Sequence, residues 1–293
     1  MTDVPRGAAG PAMGLALVLL ASACTFGDAE SDGAVGGGTL PAACTEQAEP
    51  TGTAVPVDVI PSTEPEPGPS ALTDPDNEAF PPARVELSGI VSGGPPPDGI
   101  RPIDSPAVLP AADVDFLCDQ EAVIALELEG EARAYPVRIL TRHEIVNDTL
   151  GETPVTVSYC PLCSSAVAFD RRLGDRVLDF GTSGALLQSA LVMYDRQTES
   201  LWGHFTGEGI VGRLAGEQLD VFTVQTVTWA DWLAANPDGT VLAPDSTGAT
   251  YGDNPYPGYE VSSGPLSPSF LQEEVDDRLP AKDRVLGVRD GDE

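Results

Sequence analysis

From Thr25 to Phe80 the chain carries no Lys or Arg. It is built from Gly, Pro, Thr, Asp and Glu, as in Pro61-Ser-Thr-Glu-Pro-Glu-Pro-Gly-Pro-Ser70. Such a stretch has too little apolar surface to offset the entropy of ordering it, so composition predicts a disordered arm. A second Pro/Gly run, Gly93-Gly-Pro-Pro-Pro-Asp-Gly99, extends the expectation to about residue 110. The reading divides the chain into residues 1–23, an acidic linker over 24–110, and one folded domain over 111–293.

The 293 residues hold 46 Asp and Glu against 15 Lys and Arg, a net charge of −31, and Lys282 is the sole lysine. A surface of this sign has little with which to neutralise phosphates, which argues against nucleic acid as a partner. An anionic bilayer would repel it too, so membrane attachment requires an apolar anchor. The first segment supplies a candidate: Arg6, the apolar run Met13 to Leu20, then Ala21-Ser22-Ala23-Cys24. The run is too short to span a bilayer and reads as a secretory signal. A cysteine directly after small residues is the pattern of a lipoprotein, with Cys24 as the lipid attachment point. The expected location is outside the cytoplasm, anchored to the membrane through an N-terminal lipid. Four cysteines remain, Cys44, Cys118, Cys160 and Cys163, in a compartment where disulfides persist; their pairing is not readable from sequence.

Within the domain, Ala122–Glu129 and Glu131–Tyr135 read as a hairpin about Gly130-Glu131. Pro136 then opens a short helix running to about Ile145. Pro154-Val-Thr-Val-Ser-Tyr159 alternates and is β-branched, which predicts a strand. Ala166–Phe169 and Arg176–Phe180 read as a second hairpin about Leu173-Gly-Asp175. Ala190–Tyr194, Leu219–Thr223 and Thr240–Leu242 are further strands. Trp229–Ala235 is a helix capped by Thr228. The predicted class is α+β, mainly an antiparallel β-sheet with a few short helices. Val285–Glu293 echoes Val123–Glu131, one residue out of step, and stops where the first copy turns into its hairpin partner. The C-terminus therefore reads as truncated relative to a full sheet.

The runs His143-Glu-Ile-Val-Asn-Asp148, Tyr159-Cys-Pro-Leu-Cys163, Phe180-Gly-Thr-Ser-Gly184 and Met193-Tyr-Asp-Arg-Gln-Thr-Glu-Ser-Leu-Trp202 resemble the domain-of-unknown-function family numbered 3179. Leu214-Ala-Gly216 and Thr228-Trp-Ala-Asp-Trp232 fit it as well, so the resemblance covers about Asp113 to Val288. It implies an exported or anchored protein and supplies no catalytic residue. Ser164, directly after Cys163, departs from the glycine that the resemblance implies for many relatives.

Chemistry must then come from the residues. Cys160 and Cys163 form a Cys-x-x-Cys at a strand end, a spacing that closes a small disulfide or offers two sulfurs to one metal. With His143 and His204, the two histidines of the chain, they have the composition of a Cys₂His₂ site for zinc, or for copper with Met193 as a soft extra ligand. Tyr159, Asn147, Asp148, Asp195, Arg196 and Glu199 are candidates to line a pocket, against a reading as turn, cap and ion-pair residues. The tryptophans Trp202, Trp229 and Trp232 read as core. No Walker loop and no nucleophile elbow is present. Three functions follow: a lipid-anchored protein binding a transition metal, a thiol–disulfide enzyme with Cys160 as nucleophile and Cys163 as resolving thiol, and a structural or interaction module stapled by a disulfide. Enzymatic activity, and whether the partner is a protein or a small molecule, are left open.

Overall fold

The computed structural model describes residues 50–244 and, beyond them, residues 251, 254–259, 262, 270, 278–280, 282, 283 and 285. In chain order the strands are β1 (Val55–Pro56), β2 (Ile90–Ser92), β3 (Ala107–Pro110), β4 (Ala122–Leu128) and β5 (Glu131–Pro136). Helix α1 (Val137–His143) follows, then β6 (Ile145–Leu150), β7 (Thr153–Cys160), β8 (Ser165–Asp170), β9 (Arg172–Leu173) and β10 (Arg176–Val177). The remainder is β11 (Phe180–Leu187), β12 (Ala190–Asp195), β13 (Leu201–Gly203), β14 (Gly209–Val211), β15 (Val221–Phe222), β16 (Val224–Thr228), α2 (Trp229–Ala235) and β17 (Thr240–Leu242).

Three larger sheets result: β1-β3-β17-β5-β4-β16, β15-β8-β7-β6 and β14-β13-β12-β11-β2. Their pairings are antiparallel except β17 with β5. The α+β class with a mainly antiparallel sheet is thus observed. The four-stranded sheet is the middle layer, and the two-residue period of its strands says why. Val155, Val157 and Tyr159 of β7 and Ala168 of β8 join the core shared with the six-stranded sheet and both helices. Their alternates Cys160 and Phe169 join the core shared with Phe180, Leu191, Met193 and Trp202 of the five-stranded sheet. Covered on both faces, every residue of β6 and β7 is buried. All three tryptophans are core, with Trp229 and Trp232 stacked at 5.5 Å between ring centroids.

Local signals explain the two helices. Pro136 precedes α1, where a missing N–H costs nothing. Thr228 caps α2, its hydroxyl accepting from the Asp231 N–H at 3.2 Å.

The structure differs from sequence expectation in three places. Residues 50–110 are part of the fold rather than a disordered linker. This Pro-rich chain builds no core of its own but lies extended on the core of the rest, through backbone bonds such as Thr63 N–H to Val177 O (2.9 Å) and Glu66 N–H to Gln197 O (2.7 Å). It buries Ala71, Ile103 and Leu109 in doing so. Second, α1 stops at His143, and Ile145–Leu150 is a strand. Its apolar and polar residues are buried alike, so no period distinguished it from a helix tail. Third, β8 pairs with β7 and β15 rather than with Arg176–Phe180, while β9 and β10 close a small hairpin of their own. The proposed signal, Cys24, Cys44 and the C-terminal echo after Val285 lie outside the described residues.

Candidate functional site

The Cys-x-x-Cys sits in the loop joining β7 to β8. Cys160 is the last residue of β7 and pairs with Ser165, the first of β8. The turn between them is closed by the Cys163 N–H on Cys160 O at 3.2 Å. Ser164 completes it with φ at +48°, the left-handed region that a glycine occupies without strain. That geometry is the physical meaning of the serine-for-glycine departure seen in the sequence.

The turn brings the two sulfurs to 3.0 Å. Both are free thiols, whereas Cys118 is disulfide-bonded. They differ in access. Cys160 is 1 % exposed. Cys163 is half-buried and lines a cleft of about 710 Å³ together with Tyr159, Pro161, Phe205, Tyr256 and Tyr259. Phe205 is 56 % exposed at its rim, and the Lys282 ammonium stands 3.3 Å from the centre of the Tyr259 ring.

The neighbouring hairpin of the five-stranded sheet supplies further partners. The Gln188-Ser189 turn joins β11 to β12 with both φ values positive (+50° and +64°), as a tight two-residue hairpin demands. Ser189 O accepts from the Cys163 thiol at 3.6 Å. The Leu191 N–H of β12 points at the Cys160 sulfur. A hydrogen bond from the Cys163 thiol, supported by the N–H groups of Leu191, Cys163 and Leu162, holds the Cys160 thiol below its ordinary range against the opposing effect of burial. The same thiol–thiol hydrogen bond, with burial and the Cys160 charge, pushes Cys163 far upward. The two effects set the sulfurs apart, with the buried Cys160 the more readily ionised of the two.

Glu144, named in the sequence only as part of a motif, completes the site. It ends α1 at φ +60°, ψ −33°, a sparsely populated conformation for a residue with a side chain. Its N–H caps α1 on Leu140 O (2.7 Å), and its carbonyl accepts from the Tyr159 N–H (2.7 Å), which registers it beside the end of β7. The carboxyl is buried. Burial, then the charge on Cys160, raises it to about 8, and the Tyr256 hydroxyl, 3.4 Å from Oε1, pulls the other way. It lines a second, mostly apolar cavity of about 180 Å³ with Ile100, Thr182, Leu162 and Leu191. Its backbone strain was not legible in the sequence.

The two histidines do not converge on the sulfurs. His143 donates from Nδ1 to Arg101 O (2.7 Å), and its Nε2 meets the Tyr251 hydroxyl (2.8 Å). His204 follows β13 and bridges two sheets, with Nδ1 2.8 Å from Ser158 Oγ and Nε2 2.9 Å from Ser165 Oγ. Burial lowers it to about 4, so the ring is neutral near pH 7. Met193 is buried in the core layer that also holds Cys160. Among the described residues no three His, Cys, Asp or Glu side chains form a group that could hold a metal ion. Two thiolates on one tetrahedral zinc at about 2.3 Å each would stand about 3.7 Å apart, wider than the pair here. The Cys₂His₂ set is thus not assembled in this geometry.

Of the pocket candidates, Tyr159 lines the cysteine cleft. The others build structure. Asp148 accepts from Arg133 Nη1 (2.7 Å) and from the Tyr135 hydroxyl (2.8 Å), all buried. Asn147 ties β6 to β11 through both the N–H and the O of Phe180. Asp195 gathers the N–H and hydroxyl of Thr198, the Ser200 N–H and the Trp202 indole. Arg196 pairs with Asp98 and Asp104. Glu199 sits at φ +53° in the turn after β12.

No helix among the described residues is long and apolar enough to cross a membrane. Comparison with curated proteins and with solved structures finds no match. Residues 97–293 match the family described as protein of unknown function (DUF3179), so the earlier resemblance holds and its span begins upstream of the position expected, taking in the Asp98 and Ile103 contacts. With two thirds of its length inside that match, this chain belongs to the DUF3179 family.

Proposed function

We propose that the protein is a thiol–disulfide exchange protein whose working pair is Cys160 and Cys163. The observation that carries this reading is the asymmetry of the pair: two free sulfurs 3.0 Å apart, one buried among N–H donors, the other on an aromatic cleft. A metal site would benefit from further ligands turned toward the sulfurs; a plain staple has no use for an adjoining cleft or a buried carboxyl.

The asymmetry implies roles opposite to those expected from sequence. In the disulfide form, an incoming substrate thiolate reaches Cys163. Its sulfur forms a bond to Cys163 Sγ, and the Cys160–Cys163 bond breaks with both electrons passing to Cys160. Of the two sulfurs, the one whose thiol is held lower is the better leaving group. A second substrate thiolate then attacks the substrate sulfur of the mixed disulfide and releases Cys163. The substrate dithiol is oxidised to a disulfide, and the Cys160–Cys163 disulfide is reduced to the dithiol. The exchange partner is a thiol compound that fits a cleft walled by Tyr159, Phe205, Tyr256 and Tyr259. The signal-like N-terminus supports a site of action outside the cytoplasm, tethered through Cys24.

The test is a redox titration of the whole chain in glutathione buffers, with alkylation and mass measurement of the Cys160/Cys163 peptide and metal analysis of protein purified without chelator. Reversible interconversion of dithiol and disulfide without stoichiometric metal supports the reading. A pair that stays reduced and holds one equivalent of zinc or copper replaces it with metal binding, and a pair that never opens replaces it with the staple.

A further inference from the structure

The cavity of about 180 Å³ takes no part in the exchange chemistry. Its walls come from the loop after β2 (Ile100), the cysteine turn (Leu162), β11 (Thr182 and Leu186) and β12 (Leu191), and they are mostly apolar. The Thr182 hydroxyl is already committed to Ile100 O at 2.7 Å. One acidic side chain lines the cavity, Glu144, and it is only 6 % exposed. Its hydrogen bonding is poor. The Tyr256 hydroxyl stands 3.4 Å from Oε1, long for an O–H···O bond, and among the described residues no donor reaches Oε2. No Lys, Arg or His is among the described residues that line the cavity. The titratable groups that act on the carboxyl, Cys160 and Tyr256, are themselves acids, so neither supplies a balancing positive charge. The space is ring-sized: an apolar cavity of about 150 Å³ accepts benzene.

We propose that this cavity is a binding site for a small primary amine with an apolar body, its ammonium paired with the Glu144 carboxylate. The site stands apart from the exchange reading and holds whether or not the cysteines turn over. An ammonium brings three N–H donors to a carboxylate that lacks them, while a ring or short alkyl body covers the apolar walls. Other ligand classes fit less well. An anion meets a second negative charge, a hydrocarbon leaves the carboxyl unpaired, and an alcohol gives it a single hydrogen bond. The net charge of −31 draws cations toward the surface. The strained backbone at Glu144 fits a residue kept for its side chain, since a glycine would occupy φ +60° at lower cost. Burial raises the empty-site carboxyl to about 8, so near pH 7 it is largely protonated. The ammonium enters with its own proton, and the carboxyl releases its proton to solvent as the pair forms.

The test is calorimetric titration of the whole chain with benzylamine as probe, near pH 7, in phosphate and in Tris. Benzyl alcohol and toluene are the controls of similar size. The expected result is saturable binding whose heat differs between the buffers by the release of about one proton per site. Glu144→Gln should weaken benzylamine by about 10–100-fold, the scale of a lost hydrogen bond to a charged group. Ile100→Trp fills the cavity from a partly buried position and should abolish binding. Ile100 lines this cavity and not the cysteine cleft, so full affinity in Ile100→Trp puts the amine elsewhere and overturns the site. No saturable heat at millimolar benzylamine overturns it as well. Binding without proton release, or benzyl alcohol or toluene binding as tightly as the amine, overturns the ammonium–carboxylate pair. If Glu144→Gln does not fold, the buffer dependence of the wild type and the Ile100→Trp titration decide instead.

Discussion

Stability should pass through a maximum on the acid side of neutrality, and two buried groups account for it. Glu144 has its carboxyl raised from 4.5 to about 8 in the folded chain. A group that binds its proton more tightly when folded stabilises fully below its unfolded value and loses that contribution as pH rises through the folded one. At about 1.36 kcal/mol per pH unit of separation, the ceiling is about 5 kcal/mol, lost between roughly pH 4.5 and 8. His204 moves oppositely, from 6.5 to about 4. It is buried neutral, so its contribution is present above about pH 6.5 and is lost toward pH 4, with a ceiling of about 3 kcal/mol. The product is a broad maximum near pH 5–6 and a fall of about 2 kcal/mol by pH 8. Chemical denaturation at half-unit pH intervals measures it. Glu144→Gln should flatten the alkaline arm and leave the acid arm. Cys160→Ser should shrink the alkaline arm in part, because the Cys160 charge is the second cause of the Glu144 shift. A wild-type profile level from pH 5 to 8, or an alkaline arm unchanged in Glu144→Gln, would refute the reasoning.

Two further outcomes follow from the fold. Asp148→Ala leaves Arg133 buried without its carboxylate and the Tyr135 hydroxyl without an acceptor, so unfolding free energy should drop by about 3–5 kcal/mol in denaturant titration, with no change in thiol reactivity. Ser164→Gly relieves the left-handed strain of the cysteine turn. It should raise stability by up to about 1 kcal/mol, the gain limited by the greater freedom of glycine in the unfolded chain, and leave the pair's redox behaviour intact.

What the sequence disclosed follows the physics of each segment. Strand β7 and helix α2 were legible because alternation and a Thr cap are local signals. Strand β6 was not, because Ile145–Leu150 is buried on both faces and shows no period. The region 50–110 was misread because composition reports whether a segment can build a core, not whether it can lie on one built elsewhere. The cysteine pair was plain from its spacing, and the structure holds its sulfurs together. The histidines were rare and therefore conspicuous, yet rarity carries no information about direction: one anchors Arg101 O and the other bridges Ser158 and Ser165. Glu144 passed unnoticed since a single acidic residue beside a histidine looks like a solvated helix end. Its burial depends on β6 being a strand, which the sequence pattern did not reveal.

The central claim is that Cys163 is the sulfur that meets substrate and Cys160 the one that resolves. It is tested by incubating Cys160→Ser and Cys163→Ser with oxidised glutathione and mapping the adducts by peptide mass. The account predicts a stable mixed disulfide on Cys163 in Cys160→Ser, and little or none on the buried Cys160 in Cys163→Ser. An adduct that accumulates on Cys160 in Cys163→Ser, with Cys163 unreactive in the other variant, would contradict it.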